Sequence, residues 1–177
     1  MPIFRGMPII EISAFELIKS HRGAIQFSDK SINRYFTKGR LMAGELIHIS
    51  GGLSETSKFI LHLSSLIETP EKISVTYSKS DHVHFGNHSD GEIFVSSLQQ
   101  LVDVIEELAE KQCKPRVLFL IDSGCLLKGF KVKKLERIIS TLCQCRVAVI
   151  TNLDLLSDLA SQRVRVFEDG SSGTVKK

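Results

Sequence analysis

Apolar positions along the chain follow two alternating rhythms. Short, nearly continuous apolar runs bounded by polar or turn residues occur at Leu46-Ile47-His48-Ile49, Ile93-Phe94-Val95, Val117-Leu118-Phe119-Leu120-Ile121 and Val147-Ala148-Val149-Ile150, and Ile73-Ser74-Val75-Thr76-Tyr77 is rich in β-branched residues. Such runs predict strands, the continuous ones buried on both faces. Between them apolar residues recur three and four apart, as in Phe59, Ile60, Leu63, Leu66 and Ile67, which predicts a helix over about 54–67. A second helix carries Leu98, Leu101, Val102, Ile105 and Leu108 behind the capping box Ser97-Leu98-Gln99-Gln100, and a third carries Leu135, Ile138, Ile139 and Leu142. Pro70 and Pro115 stop the first two helices from running on. This alternation predicts an α/β fold, a mostly parallel central sheet with helices on both faces. Ile25-Gln26-Phe27 reads as a brief strand, and Ile32, Tyr35 and Phe36 as a short helix. Arg163-Val164-Arg165-Val166-Phe167 alternates like an edge strand.

A chain of 177 residues has room for one domain with a sizeable core. The expected division is an arm or linker over 1–23, a core over 24–169 and a disordered Gly/Ser/Lys-rich tail over 170–177. The arm's apolar residues include Ile10, Ile12 and Phe15, and their spacing fits an extended segment or a short helix equally. A net charge of +3 is too small to establish a nucleic-acid partner by itself. No apolar run approaches the roughly 18 residues of a membrane span, so no membrane role is expected, and the amino terminus lacks the pattern of a signal peptide. Cys143-Gln144-Cys145 has the wrong spacing for a C-x-x-C redox or zinc motif, and buried reduced thiols are expected.

The chemistry lies at the ends of two of the strands. Residues 116–124 form an apolar run ending in Asp122, the pattern of a Walker B strand, whose acid holds Mg²⁺ through water in nucleotide-binding α/β proteins. Its partner should be a G-x-x-x-x-G-K-[ST] loop between an earlier strand and helix. Gly51-Gly52-Leu53-Ser54-Glu55-Thr56-Ser57-Lys58 occupies that place, after a strand over about 45–50. Thr56 stands where the second glycine belongs, Ser57 where the lysine belongs and Lys58 where the magnesium-binding hydroxyl belongs. Glycines let backbone N–H groups turn onto a triphosphate, and the lysine neutralises it. Lys58, one residue late on a helix, projects about 100° away from the required direction. The loop predicts no bound nucleotide and no ATP hydrolysis by the isolated chain, with Asp122 kept for structure or for an interface.

The ordered set of motifs resembles the RecA-like recombinases. Phe119-Leu120-Ile121-Asp122-Ser123-Gly124 is similar to their Walker B segment, and Val147-Ala148-Val149-Ile150-Thr151-Asn152 to their next core strand, which ends in the same Thr-Asn. Ser31-Ile32-Asn33-Arg34-Tyr35-Phe36, leading to Gly44-Glu45-Leu46-Ile47-His48-Ile49, resembles their leading helix and phosphate-loop strand. Within that family the chain looks like a divergent eukaryotic recombinase paralogue with a degenerate Walker A motif, the kind in which a small subunit partners a larger paralogue. The resemblance implies a RecA-like core and a nuclear, non-catalytic subunit. It also implies a heterodimer with an ATP-binding recombinase paralogue, any ATP-Mg being held by that partner. The pair would assist strand-exchange recombinase filaments on single-stranded DNA in homologous recombination repair.

Several family features are altered. The strand-end glutamate that activates water is missing from Tyr77-Ser78-Lys79-Ser80-Asp81, Leu153 replaces the γ-phosphate-sensing glutamine, and the second DNA-binding loop is contracted to 153–162. Lys128, Lys131, Lys133 and Lys134 lie around Phe130 where the family has its first DNA-contacting loop, and they are the DNA-binding candidates. A solvated helix start explains the same lysines equally well. Ile10, Ile12 and Phe15 are the partner-docking candidates, and addition of a strand to a partner's sheet edge is one way for them to dock. His82, His84 and His88 share one polar segment without a completed ligand set, so no metal site is assigned. Two other functions fit the same frame: a weak P-loop ATPase of DNA repair, and a P-loop-derived protein-interaction domain unrelated to DNA.

Overall fold

The structure is a computed structural model that describes residues 23–37, 39–67, 72–78, 91–123, 132–168 and 172–174. In chain order the strands are β1 (Ala24–Ile25), β2 (Leu41–Met42), β3 (Leu46–Ser50), β4 (Lys72–Tyr77), β5 (Glu92–Val95), β6 (Val117–Asp122), β7 (Ala148–Thr151), β8 (Gln162–Val166) and β9 (Ser172–Thr174). The α-helices are α1 (Leu53–Ser65), α2 (Leu98–Glu110) and α3 (Lys133–Gln144), and 3-10 helices span Lys30–Tyr35 and Asp154–Leu159.

The fold is the expected α/β: a mostly parallel sheet with helices on both faces. One sheet runs β5-β4-β6-β7-β3-β8-β9, and every pairing in it is parallel except β8 with β9. β7 therefore lies between β3 and β6, so the ends of all three strands meet at one edge of the molecule. Alternation along β6 divides the core. Val117, Phe119 and Ile121 join Ile47, Ile49, Ile60 and Leu63 on the face covered by α1. Leu118 and Leu120 join Leu101, Ile105, Leu135 and Ile139 on the face covered by α2 and α3. Each of these side chains is almost wholly withdrawn from water, and burial of this kind supplies roughly 1.5–3 kcal/mol per aliphatic side chain. The capping box forms in a modified way: the Ser97 hydroxyl accepts from the Gln100 N–H at 3.1 Å, and the Gln100 side-chain oxygen accepts from the Ser96 N–H at 2.9 Å.

Three expectations are corrected. Gln162–Val166 is an interior strand, because Ser172–Thr174 pairs antiparallel with it through Val164, Arg165 and Val166. The same pairing makes part of the expected disordered tail over 170–177 a strand; backbone hydrogen bonds suffice for it, whatever the side chains. Among the described residues the thiols are free but not buried: Cys113 and Cys145 are exposed, and Cys143 is half-buried. Among the described residues no helix is long and apolar enough to cross a membrane.

Candidate functional site

The segments read from the sequence as a Walker B strand and a degenerate phosphate loop lie together, and their polar groups turn inward on each other. α1 begins at Leu53, so most of the segment that a phosphate loop would leave as loop is wound into helix. The Thr56 N–H, one of the donors a cradle would offer to phosphate, bonds the Gly52 carbonyl at 2.9 Å. Only Gly51 and Gly52 remain outside the helix. Gly51 has φ +140°, and a Cβ there would collide with the Val166 carbonyl oxygen, so this one position needs glycine for close packing against β8. Gly52 is the N-cap of α1 and has no side chain to serve it. The Glu55 carboxylate folds back over it, where a Cβ on Gly52 would strike it. An acid at a helix amino terminus complements the dipole there and repels an incoming polyanion.

Behind the loop, Asn152 at the end of β7 ties three segments together. Its side-chain oxygen accepts from the Asp122 N–H at 2.8 Å. Its amide group donates to the Asp122 carbonyl at 3.0 Å and reaches the Thr56 hydroxyl at 3.1 Å and the Ser57 hydroxyl at 3.4 Å. The Ser57 hydroxyl donates to the Asp122 carbonyl at 2.9 Å, and the Thr56 hydroxyl donates to the Leu53 carbonyl at 3.1 Å. Thr56, Ser57, Asp122 and Asn152 are all buried. A buried polar cluster is stable only with its groups mutually satisfied, and this one satisfies them without a ligand. The bonds use the backbone of Asp122, and its side chain is buried at the same end of the sheet. Lys58 is exposed, as its helical phase predicts.

His48 on β3 is a further buried polar group close by in the sheet. Its ring nitrogen Nε2 lies 3.6 Å from an exposed Asp154 carboxylate oxygen. Burial pushes its pKa below the ordinary value, against the opposing pull of Asp154 and with the help of Arg163.

Of the DNA-binding candidates, Lys128 and Lys131 lie outside the described residues. Lys133 and Lys134 open α3 and are exposed. The Lys134 ammonium makes a 2.8 Å ion pair with Glu106 of α2, which also raises its pKa. The docking candidates Ile10, Ile12 and Phe15, the histidines His82, His84 and His88, and Cys125 also lie outside the described residues. Among the described residues no group of His, Cys, Asp or Glu could hold a metal ion. Asn152 is the site residue that the sequence alone does not reveal. Its place after Thr151 marks a strand end, but its partners lie 30 and 96 residues away in the chain.

No protein-family model matches the chain, and no curated protein matches it. Among solved structures it is similar to the flagellar accessory protein FlaH from Methanocaldococcus jannaschii, at 13% identity and a TM-score of 0.46, over 81% of this chain and 79% of that one.

Proposed function

We propose that the chain is a non-catalytic RecA-like subunit that pairs with an ATP-binding recombinase paralogue and assists recombinase filaments on single-stranded DNA, in the nucleus, during homologous recombination repair. The observation that carries the non-catalytic part is the closed network of Thr56, Ser57, Asp122 and Asn152 behind a helix whose amino terminus is covered by Glu55. Phosphoryl transfer depends on a preorganised cationic cradle and a metal, and here the corresponding hydroxyls and amides bond one another. The recombination part rests on the resemblance of the two strand-end motifs, and the docking part on the apolar residues Ile10, Ile12 and Phe15. Nucleotide in the complex belongs to the partner subunit.

Affinity purification of the chain from its own cells tests the reading. The expected result is stoichiometric recovery of an ATP-binding recombinase paralogue, with a single nucleotide per heterodimer. Recovery of no such protein, with the chain itself binding Mg-ATP, contradicts it. Ile10→Asp with Ile12→Asp should abolish recovery of the partner, because charges placed in an apolar contact cost several kcal/mol.

A further inference from the structure

At the opposite end of the sheet, where β6 and β7 begin, a cleft of about 420 Å³ is lined by Ala43, Gln112, Lys114, Arg116, Cys145 and Arg146 among others. Three of its lining side chains are cationic, and no carboxylate lies among the described residues that line it. They come from two separate connections, α2 to β6 and α3 to β7, so the topology and not one local run brings them together. Lys114 Nζ donates to the Lys111 carbonyl at 2.9 Å, and Arg116 Nη2 to the Ala24 carbonyl at 3.2 Å. The Lys111 carbonyl is neutral, so this bond does not cancel the Lys114 charge.

Arg146 is the second observation. α3 ends in a Schellman motif: the Val147 N–H bonds the Leu142 carbonyl and the Arg146 N–H bonds the Cys143 carbonyl, both at 3.0 Å. The residue after the cap in this motif adopts the left-handed conformation and is ordinarily glycine. Here it is Arg146 at φ +67°, the one non-glycine residue with positive φ among the described residues. A long cationic side chain is thus kept at a position that costs backbone energy, and it lines the cleft. Cations also occur at helix carboxyl ends simply to complement the dipole. That role does not account for this arrangement, because the Schellman bonds already serve the last carbonyls of α3 and the cations converge on a concave surface.

We infer that this cleft binds closely spaced phosphate groups, supplied either by a small diphosphate compound or by the backbone of a single-stranded nucleic acid. No aromatic side chain lies among the described residues that line it, so recognition is of phosphate charge and not of a stacked base. The inference is independent of the remnant phosphate loop at the other end of the sheet.

Calorimetric titration of the full chain with pyrophosphate, without magnesium and at low salt, tests it on the parent, Lys114→Gln and Arg146→Asn. Asparagine tolerates the left-handed conformation, so Arg146→Asn should melt no lower than the parent. Pyrophosphate should bind the parent, and each variant should lose about tenfold in affinity, the size expected for one charged hydrogen bond. Displacement of pyrophosphate by an oligothymidylate identifies nucleic-acid backbone as the source of phosphate; no displacement identifies small diphosphates. No binding to the parent, or equal binding to both well-folded variants, overturns the inference.

Discussion

The two ends of the parallel sheet dispose of their polar groups in opposite ways. At the carboxyl end, Thr56, Ser57, Asp122 and Asn152 satisfy one another in a buried cluster, and Glu55 covers the helix amino terminus. At the amino end, Lys114, Arg116 and Arg146 face a cleft from separate connections. In open α/β sheets ligands ordinarily bind beyond the carboxyl ends of the strands. Here the polar groups at that end are bonded to one another. A closed polar network adds rigidity and needs no ligand, whereas cations gathered at a concave surface favour an anion there. The difference separates a site's architecture from its chemistry.

Opening the closed end should have the largest effect. Asn152→Leu removes the acceptor for the Asp122 N–H and the donor that reaches three oxygens. Leaving buried polar groups unsatisfied costs about 1–3 kcal/mol each, so the variant should lose about 3 kcal/mol, read as a lower midpoint in urea denaturation. Thr56→Gly, which restores the phosphate-loop glycine, should cost less, about 1–2 kcal/mol, through a lost hydroxyl and a glycine inside α1. A neutral result for Asn152→Leu would mean that the cluster does not hold the strand ends together, and the contrast between the two ends would fall.

The parts of this contrast differ in how plainly the sequence announces them. Continuous runs such as Val117–Ile121 and helical stripes such as Leu101, Ile105 and Leu108 expose their burial in their spacing, so the sheet and its two covered faces were readable. Ser172–Thr174 has no apolar signal, because its pairing with β8 uses backbone groups that every sequence carries. The presence of Thr56 and Ser57 where a phosphate loop has glycine and lysine is plain in the sequence, yet the bonds they make are not, since Asn152 reaches them across the fold. Arg146 left a fainter trace: a helix capped at Cys145 with no glycine to follow.

Acidity should act on the closed end in a smaller way. Burial lowers the His48 pKa in the folded protein below its ordinary value of 6.5. The unfolded chain therefore takes up a proton on acidification before the folded one does. The contribution is complete above about pH 6.5 and is lost as the pH falls from there through the folded value. Stability profiles of the parent and His48→Gln should diverge in that window, and parallel profiles would remove His48 as the cause.

The smallest effects belong to the periphery. Burial raises the Cys143 thiol pKa to about 11, so at neutral pH alkylation should modify Cys113 and Cys145 well before Cys143. If the partnered complex binds single-stranded DNA through Lys133, its loss should reduce the salt slope by about 0.7, the value for one phosphate. Lys134→Ala should leave that slope unchanged, because Glu106 already holds its ammonium.

Closure of the carboxyl end of the sheet by its own side chains is tested most directly by calorimetric titration of the purified chain with Mg-ATP. No saturable heat is expected at this end of the sheet, and the same result is expected for Asp122→Ala, which keeps the backbone bonds to Ser57 and Asn152. Saturable binding tighter than about 10 µM, roughly −7 kcal/mol, that is lost in Asp122→Ala would contradict closure.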